Sequence, residues 1–229
     1  MRILAVDTAT TSCSAAVWAG DRVTAEHDAP MERGHAEALM PMVLATMAAA
    51  RVGFQDLDLV AVTIGPGAFT GIRVGLAAAR GIALAAGLPC LGVGTLEAVA
   101  AAAPAEQRSG GSVLAVIDTR RGDVFAQAFA DDGSPLDDPK IVALDQVAHM
   151  ALLPPVVVAG DAARSVVRHL VEGGLAARAA PAPSKAGASV VAEIAARRWD
   201  GRAVSPMPAP LYLRPPAVTQ AAASGRERP

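Results

Sequence analysis

Imidazole and thiol side chains, which could ligate a metal ion, are few in this sequence and poorly spaced for a shared site. They are four histidines and two cysteines: His27, His35, His149, His169, Cys13 and Cys90. No two histidines stand three or four residues apart, the spacing that puts two imidazoles on one face of a helix. The cysteines lie far apart and form no C-x-x-C pair. We therefore expect no metal site, and packed, reduced thiols rather than a disulfide.

A glycine-rich turn at residues 65–71 is the second segment that could take part in chemistry. It follows an apolar, β-branched segment and precedes one rich in Ala and Leu, so the pattern predicts a strand, a tight turn and a helix. No lysine follows, as a P-loop requires, and the spacing is not that of a dinucleotide-binding loop. Phe69 takes the place that serine has in a nucleophile elbow. The turn therefore carries none of these catalytic motifs.

The helix predicted after this turn, over residues 70–86 with Thr70 as its N-cap, is rich in small residues. Each glycine in its interior should cost about 1 kcal/mol relative to alanine. A ridge of small side chains offsets such a cost when it lets another backbone approach closely. That backbone belongs either to the chain's own sheet or to a neighbouring molecule, and the sequence leaves both open. The ridge consists of Gly71, Gly75, Ala79 and Ala83.

The remaining elements predict an α/β fold. Predicted strands span residues 2–8, 12–18, 22–29, 57–64, 89–93 and 156–159, and predicted helices span residues 35–50, 70–86, 95–103, 144–150, 162–171 and 187–199. Three consecutive strands at the start require antiparallel pairing, and the alternating strands and helices that follow favour parallel pairing. The sequence therefore predicts a mixed sheet covered by helices.

The second part of the chain repeats the pattern of the first. Residues 114–119 match residues 3–8, and each segment is followed by a turn, a further strand and an Asp/Gly turn. A polar, turn-rich stretch between the two repeats marks a boundary. We predict two related half-domains, residues 1–104 and 105–204, followed by a proline-rich strap and flexible tail at residues 205–229.

The overall composition narrows the classes of function. A formal net charge of −2 gives no general attraction for nucleic acid. The longest uncharged apolar run, residues 81–96, is interrupted by Gly and Pro and is shorter than the roughly 20 residues that a membrane helix needs. The N-terminus shows no signal-peptide pattern. We expect a cytoplasmic protein that makes no membrane contact.

Four segments resemble the TsaB (YeaZ-type) family, the non-catalytic partner subunit in bacterial synthesis of threonylcarbamoyladenosine in tRNA. They are residues 3–10, 65–87, 118–125 and 212–214, so the resemblance covers most of the chain. It implies a duplicated actin/hexokinase/Hsp70-like (ASKHA) fold with two mixed-sheet half-domains and flanking helices. It also implies a role in making the t6A37 modification next to the anticodon.

The resemblance implies partners instead of an activity of the isolated chain. The chain would pair with a TsaD-type catalytic subunit and a TsaE-type ATPase, meet tRNA through that complex, and form a homodimer when alone. It would hold no cofactor of its own, and ATP or ADP and a metal ion would sit in the partner subunits. The catalytic relative has two metal-binding histidines four residues apart, and Thr95 and Val99 fill those places here. Neither side chain can supply an imidazole ligand.

The helices at residues 35–50 and 70–86 would form the surface for the TsaD-type subunit, in a four-helix arrangement. The predicted partner-binding residues are His35, Leu39, Met42, Val43, Met47, Gly71, Arg73, Gly75, Leu76, Ala79 and Arg80. No residue is predicted to be catalytic.

Nucleotide binding is an alternative that Asp7 keeps open. In nucleotide-binding relatives of the implied fold, an aspartate at the end of the first strand orients a metal-bound water, and Asp7 stands in that place with Thr8 and Thr10 beside it. The turn has hydroxyls but no glycine that would let backbone amides close on a phosphate. The same side chains can instead satisfy the turn's own amides. The alternative functions are an ATP-dependent sugar or acyl kinase, which Asp7 favours, and a peptidase.

Overall fold

Two five-stranded sheets carry the fold. We analysed a computed structural model, which describes residues 1–108, 110–181, 186–202 and 206–214. The first sheet contains β1 (Arg2–Asp7), β2 (Ser12–Ala19), β3 (Arg22–Pro30), β4 (Leu59–Gly65) and β5 (Cys90–Gly94). The second contains β6 (Ser112–Asp118), β7 (Asp123–Ala130), β8 (Lys140–Ala143), β9 (Val156–Ala159) and β10 (Ala177–Ala179).

The two sheets have the same topology. The first has the strand order β3-β2-β1-β4-β5 and the second has the order β8-β7-β6-β9-β10. In each sheet two hairpins pair three strands antiparallel, the next strand pairs in parallel with the central one, and the last strand pairs in parallel with that strand. This equivalence confirms the predicted α/β fold with two duplicated, mixed-sheet halves. The repeat of residues 3–8 and 114–119 forms the central strand of each half.

Five α-helices flank the sheets in the described parts of the chain. They are α1 (His35–Ala50), α2 (Phe69–Ala86), α3 (Thr95–Ala101), α4 (Ala163–Glu172) and α5 (Ala188–Arg198). The N-cap of α2 is Ala68, so the prediction of Thr70 was wrong. The predicted helix at residues 144–150 is a 3₁₀ helix, Leu144–His149. Strands β8 and β10 were not predicted, because four and three residues are too few to show alternation.

One hydrophobic core joins the two halves. Helix α5 of the second half packs on β1 and β2 of the first sheet, and α3 of the first half packs on β6 and β7 of the second. The core between them draws buried residues from both sheets and both helices. The sheets therefore lie on either side of residues 104–105, yet the halves share their central packing. Residues 215–229, most of the predicted strap and tail, lie outside the described residues.

The small-residue ridge of α2 packs against the chain's own sheet. A Cβ atom added at Gly71 would lie 1.9 Å from the carbonyl oxygen of Thr8, and one at Gly75 would lie 2.5 Å from the Thr8 hydroxyl oxygen. Ala79 and Ala83 are fully buried further along the same ridge. The close backbone approach that these residues permit is therefore internal. The interpretation of the ridge as a surface for a neighbouring molecule is corrected on this point.

The predicted partner face of α1 is also largely internal. Leu39, Val43 and Met47 are buried in the core between α1, α2 and the first sheet. Of the eleven predicted partner-binding residues, eight are buried in the chain itself: His35, Leu39, Val43, Met47, Gly71, Gly75, Leu76 and Ala79. Apolar periodicity selects the face that packs on the sheet, because the largest buried area in this chain is its own core.

Helix α2 is the one described helix that is long and apolar enough to cross a membrane by length and composition. A third of it is buried within the fold. Its apolar residues are thus divided between a face that packs on the sheet and an exposed outer face.

The two cysteines are buried, and neither forms a disulfide, as predicted. Burial is the main cause that raises the pKa of both thiols to about 11, with the charges of Asp7 and Asp28 adding to the effect at Cys13. Both thiols are therefore protonated and unreactive at neutral pH.

The contact between α2 and Thr8 predicts opposite effects for two glycines of one helix. Gly71→Ala should lower the free energy of unfolding by about 2 to 3 kcal/mol, because its Cβ would overlap a backbone oxygen. Gly81→Ala should raise it by about 1 kcal/mol, because a Cβ there meets no atom within 4 Å and alanine favours helix. Urea denaturation followed by circular dichroism measures both. Equal effects at the two positions would contradict this packing.

Candidate functional site

A cleft of about 600 Å³ separates the two halves at the carboxyl ends of their central strands. The turns after β1 and β4 line one side of the cleft. The end of β6 and Asp161 line the other side. Crevices of this kind, at the carboxyl ends of strands, are where ligands bind in many α/β proteins. Two of the predicted site residues, Thr10 and His35, line this cleft.

The aspartate predicted to contact nucleotide does not line the cleft. Asp7 is fully buried, and its Oδ1 accepts hydrogen bonds from the hydroxyl of Thr63 at 2.6 Å and from the amide of Ala9 at 3.0 Å. Thr8 is also fully buried, and its hydroxyl donates to the carbonyl of Gly71 at 2.7 Å. These bonds satisfy the turn and the start of α2. A sealed carboxylate does not fit the role of orienting a metal-bound water.

Thr10 is the one residue of this predicted trio that lines the cleft. Its hydroxyl lies 3.5 Å from that of Ser12, so it too contacts its own turn. His35, the first residue of α1, lines the same cleft but is only 9% exposed. The structure therefore does not bring the predicted nucleotide contacts together on one accessible surface.

The second half presents a more open, charged edge to the cleft. Asp118, at the end of β6, accepts the amide of Arg120 at 2.8 Å, and its own amide donates to Asp161 Oδ1 at 2.8 Å. Burial raises the pKa of Asp161, and the hydrogen bond from the Asp118 amide opposes that shift only in part. Arg120 has a left-handed φ of 61° and, like Arg121, extends its side chain into solvent.

Residues 206–214, which we call the strap, end at the cleft, which residues 211–214 line. The amide of Leu211 donates to the carbonyl of Ile64 at 2.8 Å, beside the end of β4. The ring of Tyr212 packs on that of Phe69, with centroids 5.1 Å apart. The guanidinium of Arg73 lies 3.7 Å from the centre of the Phe69 ring, and its Nε donates to the Tyr212 hydroxyl at 2.8 Å. An aromatic and cationic cluster thus holds the strap to the first turn of α2.

The end of the strap reaches the second half. Arg214 forms a 2.5 Å ion pair with Asp123, the first residue of β7. The Thr119 hydroxyl also donates to Asp123. This hydroxyl and the Arg214 guanidinium together hold the pKa of the Asp123 carboxyl below its usual range. The pair therefore stays ionised at neutral pH.

A second candidate surface lies on the outer side of α1 and α2, away from the sheet. We call it the outer groove, an open apolar depression of about 750 Å³ lined by Met40, Phe54, Gln55, Ala77, Ala78, Gly81, Ile82, Ala85 and Ala86. Large apolar side chains on the same helices are exposed: Leu44 by 54% and Leu84 by 78%. Exposed apolar area of this extent on adjacent helices is typical of a protein contact surface.

Residues that could supply metal ligands are not gathered anywhere in the described parts of the chain. No group of three or more His, Cys, Asp or Glu side chains there is placed to hold a metal ion. Thr95 and Val99 are both buried on α3 and face the shared core.

Two features of the structure, the outer groove and the aromatic cluster of the strap, give little signal in the sequence. The outer groove is built from Ala and Gly, which carry little signal in a periodicity, and its exposed leucines look like ordinary members of an apolar helix. The cluster of Phe69, Arg73 and Tyr212 joins positions 139 residues apart. The resemblance at residues 212–214 was the signal that could have pointed to it.

Comparisons with known proteins agree with this geometry. The family model described as tRNA N6-adenosine threonylcarbamoyltransferase (TsaD) matches residues 29–192. The tRNA threonylcarbamoyladenosine biosynthesis protein TsaB of Escherichia coli is 41% identical over 133 residues, which are 58% of this chain and 56% of that protein. The chain thus matches little more than half the length of this curated relative.

Two solved structures are similar over most of the chain. One is a Pseudomonas aeruginosa protein described as uncharacterized with similarity to peptidase YeaZ, with a TM-score of 0.76, 28% identity, and coverage of 93% of this chain and 99% of that one. The other, (R)-2-hydroxyglutaryl-CoA dehydratase component A of Acidaminococcus fermentans, has a TM-score of 0.52 at 12% identity and covers 86% and 100%. The second likeness concerns the fold alone.

The buried bond to Asp7 predicts a stability loss at a residue outside the cleft. Thr63→Val should lower the free energy of unfolding by about 2 kcal/mol, because a buried carboxylate loses a charge-assisted hydrogen bond. Thr24→Val is the matched control, since Thr24 is exposed on the edge strand β3 and loss of its bond to the Val17 carbonyl should change little. Urea denaturation of both variants measures the difference. Equal losses would show that the Asp7 bond has no special weight.

Proposed function

The chain belongs to the TsaD family of tRNA N6-adenosine threonylcarbamoyltransferases, as a TsaB/YeaZ-type member, and from this premise we propose that it is a non-catalytic, activating subunit in t6A37 synthesis. It pairs with a TsaD-type catalytic subunit, and a TsaE-type ATPase joins the assembly. Its task is to hold the catalytic subunit in an active shape. tRNA meets the chain through that complex, in the cytoplasm.

The observation that carries this proposal is the outer groove. It is apolar, it is lined mainly by α1 and α2 of one half, and both helices also carry an exposed leucine, Leu44 and Leu84. Alanine and glycine along α2 leave room for the side chains of another helix pair. A four-helix arrangement with α1 and α2 of the partner would cover this apolar area. The same face pairs two copies of the chain when no TsaD-type subunit is present.

The pairing surface proposed from the structure differs from the one expected from the sequence. We leave the core-facing residues of α1 and α2 out of the proposed contact, since they pack on the sheet. Met40, Leu44 and Ile82 on the outer face take their place. Met42 and Arg80 are half-buried at the edge of this face, and Arg73 is engaged by Phe69 and Tyr212.

The side chains present support a subunit that does no chemistry itself. Thr95 and Val99 cannot ligate a metal ion, and both are buried. Asp7 is fully buried and bonded to Thr63, so it does not reach the cleft. ATP or ADP and a metal ion are proposed to act in the partner subunits.

Deleting the gene in its source cell tests the function as a whole. The t6A content of total tRNA, measured by nucleoside mass spectrometry, should fall strongly and be restored by the gene on a plasmid. Normal t6A in the deletion strain would overturn the proposed function.

The outer groove predicts which surface leucine matters for pairing. Leu44→Glu should weaken binding to the TsaD-type subunit at least tenfold, because it places a charge in an apolar contact one helical turn from Met40. Leu153→Glu is the matched control, because Leu153 is also 54% exposed but lies in the second half. Co-purification and isothermal titration measure the affinity, and thermal unfolding checks the fold. Equal binding by the two variants would exclude the groove.

The kinase alternative predicts nucleotide binding by the isolated chain. Because Asp7 is sealed beneath α2, titration of the isolated chain with Mg-ATP should give no saturable heat up to millimolar nucleotide. Tight, saturable binding would restore the kinase alternative. Digestion of casein that a chelator abolishes would likewise restore the peptidase alternative.

A further inference from the structure

The strap forms a connection between the two halves that is separate from their shared core. Its Leu211 amide bonds to Ile64, and its Tyr212 ring and hydroxyl engage Phe69 and Arg73. All three of these partners belong to the first half. Two residues later, Arg214 forms its ion pair with Asp123 in the second half.

The attachment of the strap to the first half is closely packed and partly buried. A Cβ atom added at Gly65 would lie 2.8 Å from the carbonyl oxygen of Leu211, so only glycine permits the strap to lie this close to the end of β4. Pro208 is buried, and a Cβ at Gly92 on β5 would lie 2.9 Å from its ring. The strap is therefore built into the edge of the first sheet before it crosses the cleft.

The short distance along the chain between the two attachments limits the width of the cleft. A fully extended chain advances at most about 3.6 Å per residue, so the step from Tyr212 to Arg214 spans roughly 7 Å. The Cα atoms of these two residues cannot move further apart than this step, so the step and the reach of the two side chains together limit how far the edges of the cleft separate while both attachments hold. On the far side the halves are joined through α3 and α5, so a widening of the cleft would be a rotation about that contact.

We propose that residues 211–214 act as a two-point latch that holds the two halves at a fixed opening. One point is the cluster of Tyr212 with Phe69 and Arg73, and the other is the ion pair of Arg214 with Asp123. Leu211 and Pro208 also hold the strap to the first half, so loss of the Arg214 ion pair is the step that releases the cleft. This inference concerns the motion of the chain itself and does not depend on the proposed function.

The distance between the two edges of the cleft, measured in the full chain, tests the latch. Glu32→Cys and Arg121→Cys place one spin label on each edge of the cleft, and both positions are exposed. The native cysteines need no replacement, since both are buried and protonated. Double electron–electron resonance then reports the distribution of distances across the cleft.

Three variants carried on this labelled chain give the expected result. The parent should show one narrow distance peak, and Arg214→Ala should broaden it towards distances longer by roughly 5 Å, more than the reach of one residue. Tyr212→Ala should broaden it less, because Leu211 and Pro208 still hold the strap to the first half. The double variant should show the same distribution as Arg214→Ala, because the second half is already released.

Two outcomes would overturn the latch. An unchanged distribution in Arg214→Ala would show that the strap only follows the surface. Larger broadening in the double variant than in Arg214→Ala would show that Tyr212 restrains the cleft independently of the ion pair.

Two further variants separate the latch from general effects. Arg197→Ala removes an ion pair with Glu193 inside α5 and should leave the distribution unchanged. Tyr212→Phe keeps the ring contact with Phe69 and should stay close to the parent. If Arg214→Ala or Tyr212→Ala does not fold, as judged by circular dichroism, Arg214→Gln also removes the ion pair with Asp123 and should broaden the distance distribution.

Discussion

The close packing of α2 on the end of β1 is the contact on which the rest of the molecule depends. The glycines of the ridge allow the helix backbone to approach the Thr8 carbonyl, and the Thr8 hydroxyl returns a bond to Gly71. This approach closes over Asp7, which then bonds to Thr63 and Ala9 instead of facing the cleft. The end of β1 thereby becomes part of the core, and the turn after it lines the cleft. The energy gained by this packing offsets the cost of glycine inside a helix.

The second half has the same strand order, but its aspartate at the position equivalent to Asp7 is not buried. Asp118 holds the place in β6 that Asp7 holds in β1, and its side chain remains 46% exposed. Its bonds run to Arg120 and Asp161 at the surface. Equivalent residues in equivalent strands therefore differ in burial and in bonding partners.

Packing of the ridge also determines which faces of α1 and α2 are left for other molecules. With Leu39, Val43 and Leu76 facing the sheet, the opposite faces present alanine, glycine and a few large apolar side chains. The strap follows from the same geometry, since Phe69 and Arg73 in the first turn of α2 point towards the cleft and receive Tyr212. One helix thus supplies a core face, an outer groove and an anchor for the C-terminal segment.

The sequence alone determined the elements, their duplication and the family, because these depend on local patterns such as apolar alternation, glycine turns and the repeat of residues 3–8 at 114–119. It also gave the right residues for the small-residue ridge but left open whether they meet the chain's own sheet or a partner. Only the tertiary structure decided that point, because periodicity shows that a face is buried and not what covers it. The same limit explains the sealed Asp7 and the contact of Arg73 with Tyr212, which join positions 56 and 139 residues apart. Contacts over such separations are created by the fold, so no local pattern can report them.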